Sequence, residues 1–209
     1  DLKTYPSNLK KDLSILKKTK KVDFVYVPTF KDVFDNKKKS KINIKKNDKI
    51  LCAKFRKGHF EGVLDVMDRL TKLINPKKIY MGKKDYQQFY LVKNFLENRY
   101  KIKVIGCKTI RNKNKVALSS RNYLLKKDEL RIASEVSKKI IHLKKKLKVK
   151  KNIKNFLFLN KLKIQNLLKI KIEYLELRNI NDLKISNSLS NSKLFLAYYI
   201  GKVRLIDNY

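Results

Sequence analysis

Two short polar clusters have side chains suited to binding the phosphates of a nucleotide. The first is GKKDYQQ at 82–88, which follows an apolar run, and the second is LSSRN at 118–122. A lysine places a point charge on phosphate oxygens, and hydroxyls beside an arginine supply hydrogen-bond donors to the same oxygens. A carboxylate such as Asp85 can accept hydrogen bonds from ribose hydroxyls. Together the two clusters predict a site for a nucleoside triphosphate.

Each cluster also has a purely structural interpretation. Asp85 and Gln88 have the spacing of a capping box, which stabilises the start of a helix without any ligand. Serine and asparagine are common in loops, so Ser119, Ser120 and Asn122 can be ordinary loop residues. The residues alone leave both interpretations open, and for the first cluster the two are compatible.

The first cluster lies where a predicted strand is followed by a predicted helix. Strands are expected at 78–81 and 103–106, and between them a helix from about 86 turns inward Phe89, Val92, Phe95 and Leu96. This order is typical of a βαβ unit with parallel strands. Ligands bind at the carboxyl ends of such strands, where the helix N-terminus favours phosphate. Gly82 at that point would let the backbone approach a ligand closely.

Three further elements are predicted before the βαβ unit. Residues 9–18 resemble a short helix, and the β-branched and aromatic run at 22–28 predicts a buried strand. A helix from Glu61 is expected to end at Pro76. Its 3.6-residue period predicts an inward face formed by Val63, Val66, Met67, Leu70, Leu73 and Ile74.

The second half of the chain is predicted to be a smaller α+β unit. A long amphipathic helix at about 127–146 is followed by lysine-rich helix to about 169, and strands follow at 172–177, 194–200 and 203–206. The inward face of the long helix is expected to carry Leu130, Ala133, Val136, Ile140 and Leu143. We place the boundary between domains so that they cover residues 1–108 and 109–209.

The charge of the chain supports a second functional interpretation. Its formal net charge is +36, which is typical of a basic nucleic-acid-binding module. Only eight of the 54 basic residues are arginine, the better reader of bases, and the lysines are scattered. Abundant lysine, asparagine and isoleucine also result from A+T-rich codons without selection for a ligand. The nucleic-acid module is the alternative function, and it predicts strongly salt-dependent binding.

Other features of the sequence bear on location. No run of eighteen apolar residues is present, and the polar N-terminus is not followed by the apolar core of a signal peptide. Cys52 and Cys107 lack CxxC spacing, so we expect reduced thiols. These observations predict a cytoplasmic protein without membrane contact.

Four motifs in order make the chain resemble the pantothenate synthetase family. They are GHFEGV at 58–63, GKKDYQQ at 82–88, SSRN at 119–122 and RLIDN at 204–208. Residues 1–6 with Lys11 and Asp12 also resemble the DxxxYPR…D stretch of that family. The resemblance covers nearly the whole chain. It implies an α/β fold: a partial Rossmann-like nucleotidylyltransferase domain with a parallel sheet, lacking its first strands, followed by a smaller α+β C-terminal lid domain.

The same resemblance implies a reaction. The carboxylate of pantoate attacks the α-phosphorus of ATP, which gives pantoyl adenylate and pyrophosphate. The amine of β-alanine then displaces AMP, and a C–N bond forms to give pantothenate, a precursor of coenzyme A. The implied partners are pantoate, β-alanine, ATP and Mg²⁺, and the implied assembly is a homodimer.

The resemblance also assigns roles to residues. The residues matched to ATP binding are Gly82, Lys83, Lys84, Asp85, Ile110, Leu118, Ser119, Ser120 and Arg121. Gln88 matches a glutamine that binds pantoate. Ile110 would act through its backbone, and residues 118–121 belong to a loop that closes on the triphosphate. His59 is interpreted as a structural residue that fixes the turn before a helix.

Some residues depart from the family pattern. Lys83 stands where the family usually has Glu or Gln, Ser7 where it has Arg, and Lys115 where it has Gly. The HxGH signature and first pantoate-binding glutamine of the family would precede Asp1, and neither His59 nor His142 lies in such a motif. We therefore assign no catalytic residue and no metal ligand. The expectation is that these 209 residues alone have little ligase activity, and an inactive fragment of the ligase is a further alternative.

Overall fold

The computed structural model describes residues 8–34, 42–149 and 152–209. Its helices and strands, in chain order, are α1 (Leu9–Thr19), α2 (Phe30–Phe34), α3 (Leu51–Phe55), α4 (His59–Ile74), β1 (Lys78–Gly82), α5 (Tyr86–Arg99), β2 (Lys103–Cys107), α6 (Lys127–Lys146), α7 (Ile153–Leu168), β3 (Lys171–Asn179), β4 (Ser192–Ile200) and β5 (Val203–Asn208). The motif noted at 1–6 and the position of Ser7 lie outside the described residues.

The predicted βαβ unit is confirmed. β1 and β2 pair in parallel, with Lys78 opposite Lys103 and Gly82 opposite Cys107, and α5 forms the connection between them. Val92 and Leu96 of α5 are fully buried. Because strand and helix patterns alternate here at the spacing of a crossover, the sequence was sufficient to predict parallel pairing.

The helix predicted at 9–18 is confirmed, but the strand predicted at 22–28 is wrong. Asn8 caps α1 by accepting a hydrogen bond from the Lys11 amide, 3.0 Å away. Residues 22–28 form no strand, and Phe24 in their middle is 93% exposed. A β-branched run favours extended backbone, but a strand also needs a neighbour for its N–H and C=O groups. In the described part of the chain β1 pairs only with β2.

The inward face of α4 differs from the predicted one. Pro76 does follow the end of the helix, but its buried residues are Phe60, Leu64, Asp68 and Thr71. Leu73 and Ile74, predicted to be inward, are more than half exposed. Asp68 is buried because it accepts hydrogen bonds from the Tyr100 hydroxyl (2.6 Å) and from the Lys72 ammonium (2.7 Å). Because hydrogen bonds satisfy the Asp68 carboxylate, this residue can be buried on the inward face of α4, where the sequence pattern predicted only apolar side chains.

The second half forms an antiparallel sheet in the order β3-β4-β5. α6 and α7 cover the sheet, and a core forms that includes Ala133, Val136, Ile140, Leu177 and Leu194. The predicted strands and the long helix are confirmed. Two details differ: the helix predicted to about 169 is divided by a turn at Leu147–Val149, and Leu130 of α6 is 37% exposed.

The two sheets share packing contacts. Tyr174, Phe195 and Ala197 of the antiparallel sheet belong to the core around α5. The Tyr86 ring makes edge contacts with Phe89 (5.6 Å between centroids) and with Phe195 (5.7 Å). Apolar contacts thus cross the boundary expected at 108/109, and that boundary stays a prediction. None of the helices described is both long and apolar enough to cross a bilayer.

Candidate active site

The turn Lys83–Asp85 joins the carboxyl end of β1 to the start of α5. Asp85 is the N-cap residue of α5, but its side chain makes no capping hydrogen bond within the described chain. The carboxylate is half exposed. A methyl group built on Gly82 would meet nothing within 4 Å, so the space beside this backbone is open. The capping interpretation therefore has no support here, and a polar group is left facing a cleft.

The adjacent residues Lys83 and Lys84 face different parts of the molecule. Lys84 lies on the cleft, with its ammonium 3.9 Å from the Asp85 carboxylate. The Lys83 side chain instead crosses Gly106, and its ammonium lies 5.9 Å from the centroid of the Phe89 ring. The structure therefore places Lys84, and not the side chain of Lys83, among the predicted phosphate-binding residues.

The two glutamines of the first cluster also differ. Gln87 is buried and donates to the carbonyls of Asp48 (3.0 Å) and Ile50 (2.8 Å). It thereby fixes the chain before α3. Gln88 is half-buried, lines the cleft and makes no hydrogen bond with any residue that the structure describes. Gln88 is thus the glutamine available to a ligand.

The second cluster forms the opposite wall of the cleft. Ser119 caps a short 3-10 turn at Ser120–Leu124, with its Oγ accepting from the Arg121 amide at 3.3 Å. The Arg121 guanidinium donates to the carbonyl of Arg204, 3.1 Å away. The cleft between the walls has a volume of about 870 Å³. The structure brings together six predicted residues there: Lys84, Asp85, Gln88, Ser119, Ser120 and Arg121.

Ile110 and Leu118 stand outside the lining of this cleft. Both side chains are more than half exposed, and the Leu118 amide donates to the Ile110 carbonyl at 2.9 Å. This bond closes a small hairpin in which Arg111 pairs with Ala117. The hairpin therefore fixes the backbone of Ile110 and Leu118, two of the residues predicted to contact ATP.

Two arginines that the sequence analysis did not assign to the site, together with the neutral His59, complete the cleft. Arg56, His59 and Arg204 line it, and Nη1 of Arg56 lies 2.8 Å from Nε2 of His59. Burial, followed by the charge of Arg56, lowers the pKa of His59 to about 4, so the imidazole is neutral near pH 7. Burial and the charges of Arg121 and Arg204 lower the pKa of Arg56. His59 does adjoin the start of α4 as expected, but it also contributes to this positive end of the cleft.

β5 connects both walls. The Arg204 carbonyl of this strand accepts the hydrogen bond from Arg121. Asp207, three residues later, accepts two hydrogen bonds of 2.6 and 2.8 Å from the Arg111 guanidinium. Asn208 donates from Nδ2 to the carbonyls of Lys83 and Lys84, both at 2.8 Å. The RLIDN motif is thus mainly structural: it fixes the two clusters relative to each other.

Comparison with known proteins gives one consistent result. A family model described as Pantoate-beta-alanine ligase matches residues 1–209. The pantothenate synthetase of Clostridium botulinum (strain ATCC 19397 / Type A) is 36% identical over 214 residues, which cover 100% of this chain and 75% of that protein. The bifunctional pantoate ligase/cytidylate kinase of Prochlorococcus marinus is 37% identical, covering 100% of this chain and 41% of that protein.

Solved structures agree with the sequence matches. Pantothenate synthetase from Thermus thermophilus superposes with a TM-score of 0.90 at 23% identity, covering 99% of this chain and 75% of that one, which shows the fold. Pantoate-beta-alanine ligase from Francisella tularensis, complexed with beta-gamma ATP and beta-alanine, gives a TM-score of 0.78 at 33% identity. It covers 100% of this chain and 72% of that one.

Proposed function

Because the chain belongs to the pantoate–β-alanine ligase family, we propose that its cleft binds ATP and pantoate side by side for adenylation. The family reaction is the ATP-dependent joining of pantoate to β-alanine through pantoyl adenylate, with formation of a C–N bond. The observation that carries the assignment is the meeting of Lys84, Asp85, Gln88 and the 119–121 loop in one cleft. No other part of the described chain unites these groups.

The triphosphate would lie between the two walls. Lys84 from one wall and Ser119, Ser120 and Arg121 from the other offer positive charge and hydrogen-bond donors. Arg121 has five N–H donors, so it can bind phosphate while it remains bonded to the Arg204 carbonyl. Charge that develops on the phosphate oxygens as pyrophosphate leaves would be stabilised by groups already in place.

The remaining assignments follow the walls of the cleft. Asp85 would accept hydrogen bonds from the ribose hydroxyls. Gln88 would bind pantoate and hold the pantoate carboxylate next to the α-phosphate that it attacks. Gly82, Ile110 and Leu118 would contact the nucleotide through their backbone, since the side chains of Ile110 and Leu118 point to solvent. The role of Lys83 in ATP binding stays a prediction and would involve its backbone, since its side chain lies over Gly106.

The positive end of the cleft suits the carboxylate of a substrate. Arg56, neutral His59 and Arg204 meet there, and Arg204 is held by Glu173 at 2.6 Å. Arginine binds carboxylates through paired N–H groups, and a neutral imidazole contributes one further donor. We infer that Arg56 and His59 bind the carboxylate of pantoate or of β-alanine, a role additional to the turn of α4.

Mg²⁺ is expected to accompany the triphosphate. Among the described residues no group of three or more His, Cys, Asp or Glu side chains could hold a metal. On the cleft, Asp65 is bonded to Arg69 at 2.9 Å, which leaves Asp85 as the carboxylate available. This sparse set fits Mg²⁺, which binds chiefly phosphate oxygens and water beside one or two carboxylates. The ion would neutralise phosphate charge when bound.

Assembly and location follow from the family. We infer a homodimer in the cytoplasm, where ATP is available and thiols stay reduced. In support of a reducing compartment, Cys52 is buried and Cys107 exposed, and both are free. Light scattering after size exclusion would test the dimer, and cell fractionation would test the location.

The contrast between adjacent lysines provides the test of the cleft. Lys84→Ala should weaken binding of a non-hydrolysable ATP analogue about tenfold or more, because a charge-assisted phosphate contact is lost. Lys83→Ala removes the same charge from the other side of the turn and should change the Kd of the cleft, the site that depends on Lys84, less than about twofold. Titration calorimetry measures both, with thermal melts as a control for folding. Equal losses in the two variants would contradict the assignment.

A further inference from the structure

A second cavity, separate from the cleft, lies on the other side of the turn after β1. It has a volume of about 580 Å³ and is bounded by the segment after β2, the end of α6, the start of β4 and the end of β5. Asn208 separates the two spaces, since its amide bonds the carbonyls of Lys83 and Lys84. Lys83 faces this second cavity and Lys84 faces the cleft.

Seven of the twelve residues that line the second cavity are cationic. The lining contains six lysines and one arginine and no carboxylate side chain: Lys83, Lys108, Arg111, Lys144, Lys145, Lys148 and Lys193. Arg111 is neutralised by Asp207 just outside the lining. None of the six lysines forms an ion pair with a residue that the structure describes. Further up α6, by contrast, Lys138 pairs with Glu135 at 2.9 Å.

Several of these cations are held in place by packing. The Lys83 ammonium lies over the Phe89 ring, and the Lys193 ammonium lies 5.7 Å from the centroid of Tyr86. Lys193 and Lys144 are partly buried, and burial lowers the pKa of each; for Lys193 the neighbouring charges of Lys144 and Lys83 add to the effect. Mutual repulsion of this kind is relieved when an anion enters.

We propose that this cavity binds a compact polyanion with two or three contiguous phosphates, at a site distinct from the ATP cleft. Lysine ammoniums bind phosphate as point charges and have no fixed fork geometry, which suits a flexible phosphate chain better than a planar carboxylate. A cavity of about 580 Å³ suits a small molecule better than a nucleic-acid duplex, which would need an extended stripe of charge along a surface. The apolar floor, with Ile141 and Leu189, leaves room for an attached organic group.

The test uses inorganic tripolyphosphate as the probe, in about 150 mM salt so that diffuse surface attraction is screened. Lys144→Gln/Lys193→Gln should weaken binding about tenfold or more. The matched control, Lys154→Gln/Lys163→Gln, removes the same charge from the exposed face of α7 and should change the Kd less than about twofold. Each protein is also measured with Lys84→Ala added, which weakens any binding in the cleft and so shows how much of the signal comes from there.

A second variant protects the test against a folding defect. Lys145→Gln/Lys148→Gln alters exposed side chains, should leave the melting temperature unchanged and should also weaken binding. Equal loss in the cavity and control variants, or no saturable binding by the wild type, would overturn the proposal. Displacement of tripolyphosphate by duplex DNA with the same dependence on Lys144 and Lys193 would overturn it too, in favour of a nucleic-acid surface. Comparison with a nucleoside triphosphate shows whether the organic group adds affinity.

Discussion

The two walls of the cleft are held in different ways. The turn at 83–85 is bonded from the core by Asn208, through two carbonyl contacts of 2.8 Å. The 110–122 segment is joined to β5 near its ends, through Arg111 and Arg121, and its middle is a hairpin in which Val116 and Ala117 are buried and the Asn114 carbonyl accepts from Ser134 at 3.1 Å. One wall is therefore fixed from the core along its whole length, whereas we expect the other to move in the 118–122 turn that follows the buried Ala117. Loops that close on phosphates are typically of this second kind.

The largest effect should come from the anchor at the start of the moving wall. Asp207→Asn breaks a bidentate pair whose carboxylate is nearly buried, and it removes the carboxylate that balances the charge of Arg111. We expect a loss of about 3 kcal/mol in the free energy of unfolding. Asp128→Asn, which breaks an exposed pair with Arg131, should cost less than about 0.5 kcal/mol. Urea denaturation of both variants measures the difference, and similar costs would deny that the hairpin depends on this anchor.

The next effect concerns the fixed wall. Asn208→Ala leaves the carbonyls of Lys83 and Lys84 without their donor, so we expect a loss of about 2 kcal/mol in stability. ATP-analogue affinity should fall as well, because Lys84 is no longer fixed. Chemical denaturation and calorimetry measure the two effects. A variant with lower stability but unchanged affinity would show that the turn does not need β5 to bind nucleotide.

A smaller change should separate the walls directly. On binding of an ATP analogue, amides at 118–122 should gain protection from hydrogen exchange of about tenfold, corresponding to about 1.4 kcal/mol of local stabilisation. Amides at 90–96, in the middle of α5, should gain much less because they are already bonded within the helix. Mass spectrometry of the exchanged peptides gives both values. Equal gains would remove the distinction between a fixed and a moving wall.

The smallest effect concerns the pH dependence of stability that arises from His59, which lines the cleft. Its pKa is lowered to about 4 in the folded protein, so between pH 6.5 and 4 the unfolded chain binds a proton that the folded one does not. The contribution of His59 to stability is therefore complete above pH 6.5 and is lost as the pH falls, by about 1 to 2 kcal/mol after solvent screening. His59→Gln should flatten this dependence in melts.

A matched substitution tests the source of that shift. Arg121→Ala should raise the pKa of His59, because one of the charges that lower it belongs to the moving wall. Titration of the imidazole by NMR measures the value in each protein. No change on loss of Arg121 would mean that the 119–121 loop lies farther from His59 in solution.

The sequence could predict what depends on local pattern. The βαβ order, the amphipathic α6 and the three C-terminal strands follow from apolar periodicity, and the two clusters of the cleft follow from residue types at strand and loop ends. Failures occurred where partners are distant in sequence. Residues 22–28 have strand propensity but no neighbour, and α4 is turned by the bonds of Asp68 to Tyr100 and Lys72.

The same limit applies to the site. Lys83 and Lys84 are identical residue types in one turn, and only Gly106 and Phe89, contributed by β2 and α5, decide which of them leaves the cleft. Arg56 and His59 became recognisable once α4 placed them beside Arg121 and Arg204. A signal was present in the sequence, an arginine three residues before a histidine at a helix start, but its charge partners lie more than sixty residues away.

The missing side chain at Gly106 has an evolutionary consequence. A methyl group there would collide with the stem of Lys83 and come within 2.9 Å of the Phe89 ring. Alanine at 106 would therefore need both the Lys83 side chain to move and the Phe89 ring to shift, and a shorter side chain at position 83 would relieve only the first of these contacts. The two positions are thus epistatic. A lineage that has fixed a lysine at 83 has restricted the paths by which its second β-strand can change.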